Sequence, residues 1–202
     1  MNNTTILRTL DSGKYNSAVR YKSEINVPKK ELADLVNNKT KREINSMFKG
    51  WNTSIDLNYG IISLMSKPNL VVDSGVQSAL RRNFGVTGFG GAVVRMGVDN
   101  GATNPVAGTT QSGANTKTLL AFDSTPTIVG NVITTIRTFT NLNVNFVMKR
   151  LLLSYHTADL TNTTTADTAG TLYGMTNVFT IDLTTFSSWS QTFTATVTGS
   201  GS

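Results

Sequence analysis

Hydrophobic and polar positions along this chain follow two periods, and the change from one to the other organises the sequence. The closing stretch alternates strictly. Trp189, Gln191, Phe193, Ala195 and Val197 share one face, and Ser190, Thr192, Thr194, Thr196 and Thr198 share the other. A period of two with one largely apolar face is that of a half-buried strand. Runs of similar character occupy 92–98, 118–122, 127–140, 144–155 and 172–183, separated by loops rich in Gly, Asn, Asp, Ser and Thr at 99–116 and 157–170. Threonine makes up 26 of the 102 residues from 101 to 202. This β-branched excess favours pleated strands over helices. Five or six strands with such connections predict a mainly β protein built as an antiparallel β-sandwich.

The first quarter of the chain reads differently. After Val27 and Pro28, Leu32, Leu35 and Val36 fall on one helical face, and Ile44, Met47 and Phe48 repeat the spacing. Proline suits a first helical turn, Glu31 sits near the positive end of the dipole, and Gly50 is a plausible stop. One or two short amphipathic helices follow from this, with residues 1–26 as an arm in which no convincing period is visible. Further on, Leu70, Val71 and Val72 form a short apolar run. Ser74 and Gln77 then have capping-box spacing before a stripe of Val76, Ala79, Leu80 and Phe84, which predicts a helix over 73–84. Gly85, Gly88, Gly90 and Gly91 break the chain after it.

Charge sharpens the division. Of the net +6, residues 1–50 hold +5, from ten Lys/Arg against five Asp/Glu, and residues 51–202 hold +1, from eight against seven. The expected organisation is a short helical, basic N-terminal extension over 1–60 and a β-sandwich over 61–202. Leu32, Leu35, Val36, Ile44, Met47 and Phe48 are the expected docking residues of the extension, offered to a partner protein. Nucleic acid is not the expected partner. The acids Glu24, Glu31, Asp34 and Glu43 are interspersed among the lysines, and Tyr15, Tyr21, Phe48 and Trp51 are not interleaved as a stacking platform requires.

Little in the composition points to chemistry. There is no cysteine and one histidine, His156, whose only nearby carboxylates are Asp159 and Asp167. Metal clusters and conventional triads have little to draw on. Gly88-Phe89-Gly90-Gly91 follows a helix candidate and opens a strand, the reverse of a dinucleotide fingerprint. Asp99-Asn100-Gly101 lacks the repeated acids of a calcium loop and reads as a turn. The expectation is no enzyme, no cofactor and no metal. No apolar run approaches the length of a membrane span, and the first residues lack the charged and apolar regions of a secretory signal.

Residues about 69–198 resemble a recurring domain of tailed-bacteriophage virion proteins. The likeness lies in the order of Asn69-Leu70-Val71-Val72-Asp73-Ser74-Gly75, the Val93–Pro105 segment, the Thr-rich Asn131–Phe139 strand, Leu151-Leu152-Leu153, Gly170-Thr171-Leu172-Tyr173-Gly174 and the closing Ser190–Thr198 strand. The family usually carries a glutamate and a glycine before the apolar strand, where this chain has Lys149 and Arg150. The resemblance implies a virion building block of the tail, neck or portal-proximal region, located in the virion and acting by multimeric assembly. Its partners would be copies of itself and other virion proteins. A head decoration or fibre protein is the nearest alternative. A carbohydrate-binding adhesin is the alternative from another class, and it would need exposed aromatics such as Trp51, Tyr155, Tyr173 or Trp189.

Overall fold

The computed structural model describes residues 16–71, 93–106, 108–113, 115–130, 132–167 and 171–200; the helix expected over 73–84 lies outside them. The elements in chain order are β1 (Asn16–Asn26), α1 (Lys29–Asn38), α2 (Lys41–Met47), β2 (Asn52–Asp56), β3 (Ile61–Val71), β4 (Arg95–Asp99), β5 (Lys117–Ala121), β6 (Thr127–Val129), β7 (Val132–Thr140), β8 (Arg150–Ser154), β9 (Leu160–Thr163), β10 (Leu172–Thr176) and β11 (Ser190–Ser200). All pairings are antiparallel. Two sheets pack face to face, and the fold is a β-sandwich. The first sheet runs β6-β7-β11-β1-β3 with β2 on the far side of β3, and the second runs β10-β8-β4-β5-β9. The long strand β3 joins them. Ile61–Leu64 pair with β1 and Ile61–Met65 with β2, whereas Asn69–Val71 pair with β10.

The closing strand follows its alternation. Trp189, Gln191, Phe193 and Ala195 are buried and Val197 is partly so, while Thr192, Thr194 and Thr196 lie at the partly exposed surface. The core between the sheets is filled by Tyr21, Ile25, Phe139, Phe193 and Ala195 from the first sheet and Met96, Val98, Leu120, Leu151 and Leu153 from the second. Phe139 meets Phe193 edge-on, with ring centroids 6.0 Å apart. The 127–140 run is a hairpin rather than one strand, because Gly130 turns the chain in the left-handed region (φ +58°).

Residues 16–26, read from the sequence as part of an arm, form instead a central strand. β1 lies between β11 and β3, and it pairs with β11 over its whole length, from Asn16 opposite Ser200 to Asn26 opposite Ser190. Val19, Tyr21, Ser23 and Ile25 point inward and Arg20, Lys22 and Glu24 outward. The boundary at residue 60 is therefore not a break in the sheet, since β1 and β2 on one side of it pair with β3 on the other.

The two helices form where the spacing places them. Pro28 precedes α1, and Thr40 caps α2 through a capping box in which Glu43 accepts from the Thr40 N–H at 2.7 Å. Their apolar residues join the core of the sandwich. The Asp182 and Thr180 amides donate to the carbonyls of Met47 and Lys49 at 2.9 Å, which ties the end of α2 to the stretch before β11.

Candidate functional site

The residues expected to dock on a partner are occupied within this chain. Leu32, Leu35, Ile44, Met47 and Phe48 are buried in the same core as the strands, and Val36 packs against it half-covered. Their neighbours include Trp51, which meets Phe179 edge-on at 5.2 Å. The expectation of an apolar docking face is corrected accordingly. An amphipathic stripe of about three turns must be covered by something, and here the covering surface is the sandwich itself. Glu31 reinforces the seat. Its carboxylate accepts from the Ser187 amide at 2.8 Å and from the Ser187 hydroxyl, and these two bonds hold its pKa below the usual glutamate value.

What the helices present outward is basic. Lys29, Lys30, Lys41, Arg42 and Lys49 are exposed and Lys39 is half-exposed, and none of the six makes an ion pair among the described residues. The ion pairs lie elsewhere, most densely where three strands of the second sheet end together. Arg150 opens β8, Asp99 ends β4 and Lys117 opens β5, and Asp99 stands opposite each of the other two in the register. Asp167, from the segment after β9, completes a row of alternating sign: Arg150, Asp99, Lys117, Asp167. All four side chains are buried.

The row is closely bonded. Arg150 donates from Nε to Asp99 Oδ1 at 2.8 Å and from Nη2 to Oδ2 at 2.7 Å, the bidentate geometry that suits a guanidinium and a carboxylate. Its remaining protons reach the Thr103 carbonyl at 3.0 Å and the Ser112 carbonyl at 3.1 Å. Gly101 donates its amide to Asp99 Oδ1 at 3.0 Å, and a side chain at 101 would fall on the guanidinium. Lys117 Nζ donates to the carbonyls of Gly113 and Thr165 and stands 3.7 Å from Asp167 Oδ1. Burial lowers the Lys117 pKa, and the attraction of Asp167 and Asp99 partly opposes this. Asp167 accepts from the Ser112 amide at 3.0 Å and from its hydroxyl at 2.6 Å. Every bond in the set is internal, and its effect is to hold Gly101, Thr103, Ser112 and Gly113 against the end of the sheet.

The reactive candidates of the sequence are engaged in the same internal manner. Asp159, one possible partner of His156, accepts from Arg95 at 2.9 Å and from the Ala121 amide at 3.1 Å. His156 Nδ1 lies 2.8 Å from the Ala158 carbonyl. Among the described residues no group of three or more His, Asp or Glu side chains is arranged to hold a metal ion. The aromatics named for a sugar platform are not displayed: Trp51 and Trp189 are buried, and Tyr155 and Tyr173 are half-buried with their rings packed edge-on at 5.9 Å.

Apolar side chains do reach solvent at both edges of the first sheet. On the β6–β7 hairpin, Ile128 is 69 % and Val129 77 % exposed, with Ile133 and Ile136 beside them. At the other edge, Leu57 and Tyr59 are exposed in the β2–β3 turn and Met65 at the far end of the same hairpin, opposite Asn52. Nothing in the sequence separated these from core residues, because alternation marks a strand without saying whether it lies at an edge. No helix among the described residues is long and apolar enough to cross a membrane. Comparison with known protein families, known proteins and solved structures finds no match to this chain.

Proposed function

We propose that this chain is a structural component of a bacteriophage virion, of the tail, neck or portal-proximal region, and that it acts by assembling with copies of itself through the edges of its first sheet. The observation that carries the reading is the exposed apolar hairpin β6–β7. An edge strand leaves backbone donors and acceptors unpaired, and folded monomers ordinarily blunt such edges with charge, proline or a covering loop. Here the edge strand is three residues long and follows Pro126, yet its Ile128 and Val129 stand uncovered. The opposite edge strand, β2, carries Ile55 among polar residues, with Leu57 exposed in the turn after it and Met65 exposed on the neighbouring β3, so one copy's β6 edge meets another's β2 edge in a head-to-tail contact. Head-to-tail contacts generate closed rings or open filaments. The sequence resemblance over residues 69–198 supports the virion setting.

The test is the mass of the purified full chain in solution, by sedimentation or light scattering. The wild type forms an oligomer, and Ile128→Glu with Val129→Lys shifts it to monomer while leaving the far-ultraviolet spectrum unchanged. A monomeric wild type at high protein concentration, or an oligomer indifferent to these changes, refutes the edge contact.

A further inference from the structure

We infer that the outer surface of α1 and α2 is a binding site for the phosphate backbone of a nucleic acid. The inference is independent of how copies of the chain assemble. It starts from the apolar stripes having turned inward. With Leu32, Leu35, Ile44, Met47 and Phe48 inside, the unit offers Lys29, Lys30, Lys39, Lys41, Arg42 and Lys49 to the outside, and no carboxylate among the described residues neutralises them in an ion pair. Two of the three acids in this stretch are held by internal hydrogen bonds. Glu31 is drawn to Ser187, and Glu43 is folded back onto Thr40, with its pKa lowered by the Thr40 hydroxyl and amide and further by the Lys39 charge. Asp34 is the exception. Those bonds keep both carboxylates ionised, so six cations against the three acids Glu31, Asp34 and Glu43 leave this surface a net +3.

Three classes of partner would answer such a surface. A second copy of this chain fits less well, since Asp99, Asp123, Asp159 and Asp167 are each paired with a cation of the same chain, and other acids outside such pairs, Glu24, Asp34, Asp56 and Asp182, are spread singly over β1, α1, β2 and the stretch before β11. A protein partner fits less well than a nucleic acid, because protein interfaces depend on buried aromatic and arginine anchors and are depleted in lysine. Five of these six cations are lysines, and the apolar residues of the helices themselves are buried, leaving Leu57 and Tyr59 of the neighbouring turn as the exposed apolar side chains near Lys29. Phosphate contacts ask only for positive charge within reach. The two helices, of 10 and 7 residues, give about 25 Å of axis. A duplex carries a charge about every 1.7 Å along its own axis.

The test measures binding of the full chain to a labelled random-sequence DNA duplex of about 20 base pairs by fluorescence anisotropy, from about 50 to 200 mM salt. With four or five cations engaged, the logarithm of the affinity falls against that of salt with a slope of about −4. Lys41→Gln with Arg42→Gln lowers the steepness by about 2 and the affinity at least tenfold. Arg20→Gln with Lys22→Gln, which removes the same charge from the exposed face of β1, leaves binding within about twofold, because the field of a distant surface charge is screened. Absence of binding at low salt, equal losses from the two pairs, or a DNA complex displaced as readily by poly-glutamate as by unlabelled duplex would each overturn the inference. The last result would point to an acidic protein instead.

Discussion

Removing two members of the buried charge row should cost well short of the sum of removing each alone. In Arg150→Met the Asp99 carboxylate, fully buried, loses both guanidinium bonds and keeps the Gly101 amide at 3.0 Å as its hydrogen-bond donor, with Lys117 across the register as its remaining cation. The Thr103 carbonyl loses its guanidinium donor, while that of Ser112 retains the Asn115 side-chain amide at 2.8 Å. A buried ion stripped of its partner costs about 3–5 kcal/mol, against about 0–1 kcal/mol for an exposed pair. Asp99→Asn alone should be comparably damaging, because it leaves the guanidinium buried and uncompensated. It preserves an acceptor for Gly101, so the double variant Asp99→Asn with Arg150→Met carries no buried charge at either position. Its loss should fall at least 2 kcal/mol short of the sum of the single losses, within the coupling range for residues that share a network. Urea unfolding followed by the fluorescence of Trp51 and Trp189 reads all four corners of this cycle. A single-variant cost below about 1 kcal/mol, or losses that simply add, would show that the row is solvated and that the bonds described are not what holds the loop.

The seating of the helices makes a second expectation: Phe48→Ala, at a site 1 % exposed, should destabilise the whole chain by about 3–5 kcal/mol, measured by the same unfolding; a loss under 1 kcal/mol would mean that the helices are peripheral to the fold. Alkaline stability makes a third. Burial, with the neighbouring Tyr173, raises the Tyr21 phenol well above its ordinary value near 10, so above that pH the unfolded chain sheds a proton that the folded chain keeps. Stability from this group is complete below about pH 10 and falls beyond it by up to about 1.4 kcal/mol per pH unit. Tyr21→Phe should flatten the wild-type decline over that range, and parallel curves for the two proteins would refute the assignment.

The fold was most legible where one face of a strand is uniformly apolar. β11 announces itself through Phe193, Ala195 and Val197 against the threonines. β1 carries the same alternation, but its outward positions are Arg20, Lys22 and Glu24 and its inward row includes Ser23. Read by density of charge, it passes for a solvated arm. Periodicity identified the helical faces of Leu32, Leu35, Ile44 and Met47, yet a pattern shows that a face is covered and is silent about what covers it. The charge row was out of reach for a different reason. Asp99, Lys117, Arg150 and Asp167 acquire their meaning only from strand ends that lie side by side, and no spacing along the chain encodes that. Arg150 was nonetheless marked as a departure from the family pattern at the entry to β8, and it proves to be the residue with the most bonds in the row.

The pairing of Asn16 with Ser200 has a mechanical consequence. The two ends of the ladder leave from one corner, on adjacent antiparallel strands. Tension applied through both ends would peel β1 from β11 one hydrogen bond after another, rather than loading all of them together, so the domain would open at low force. A pull through only one end, against a neighbour gripping the sheet edges, would instead be borne by the ladder in shear. The proposed edge-to-edge assembly would therefore be strong when each copy is held by its flanks and loaded at a single end, and weak when strung end to end.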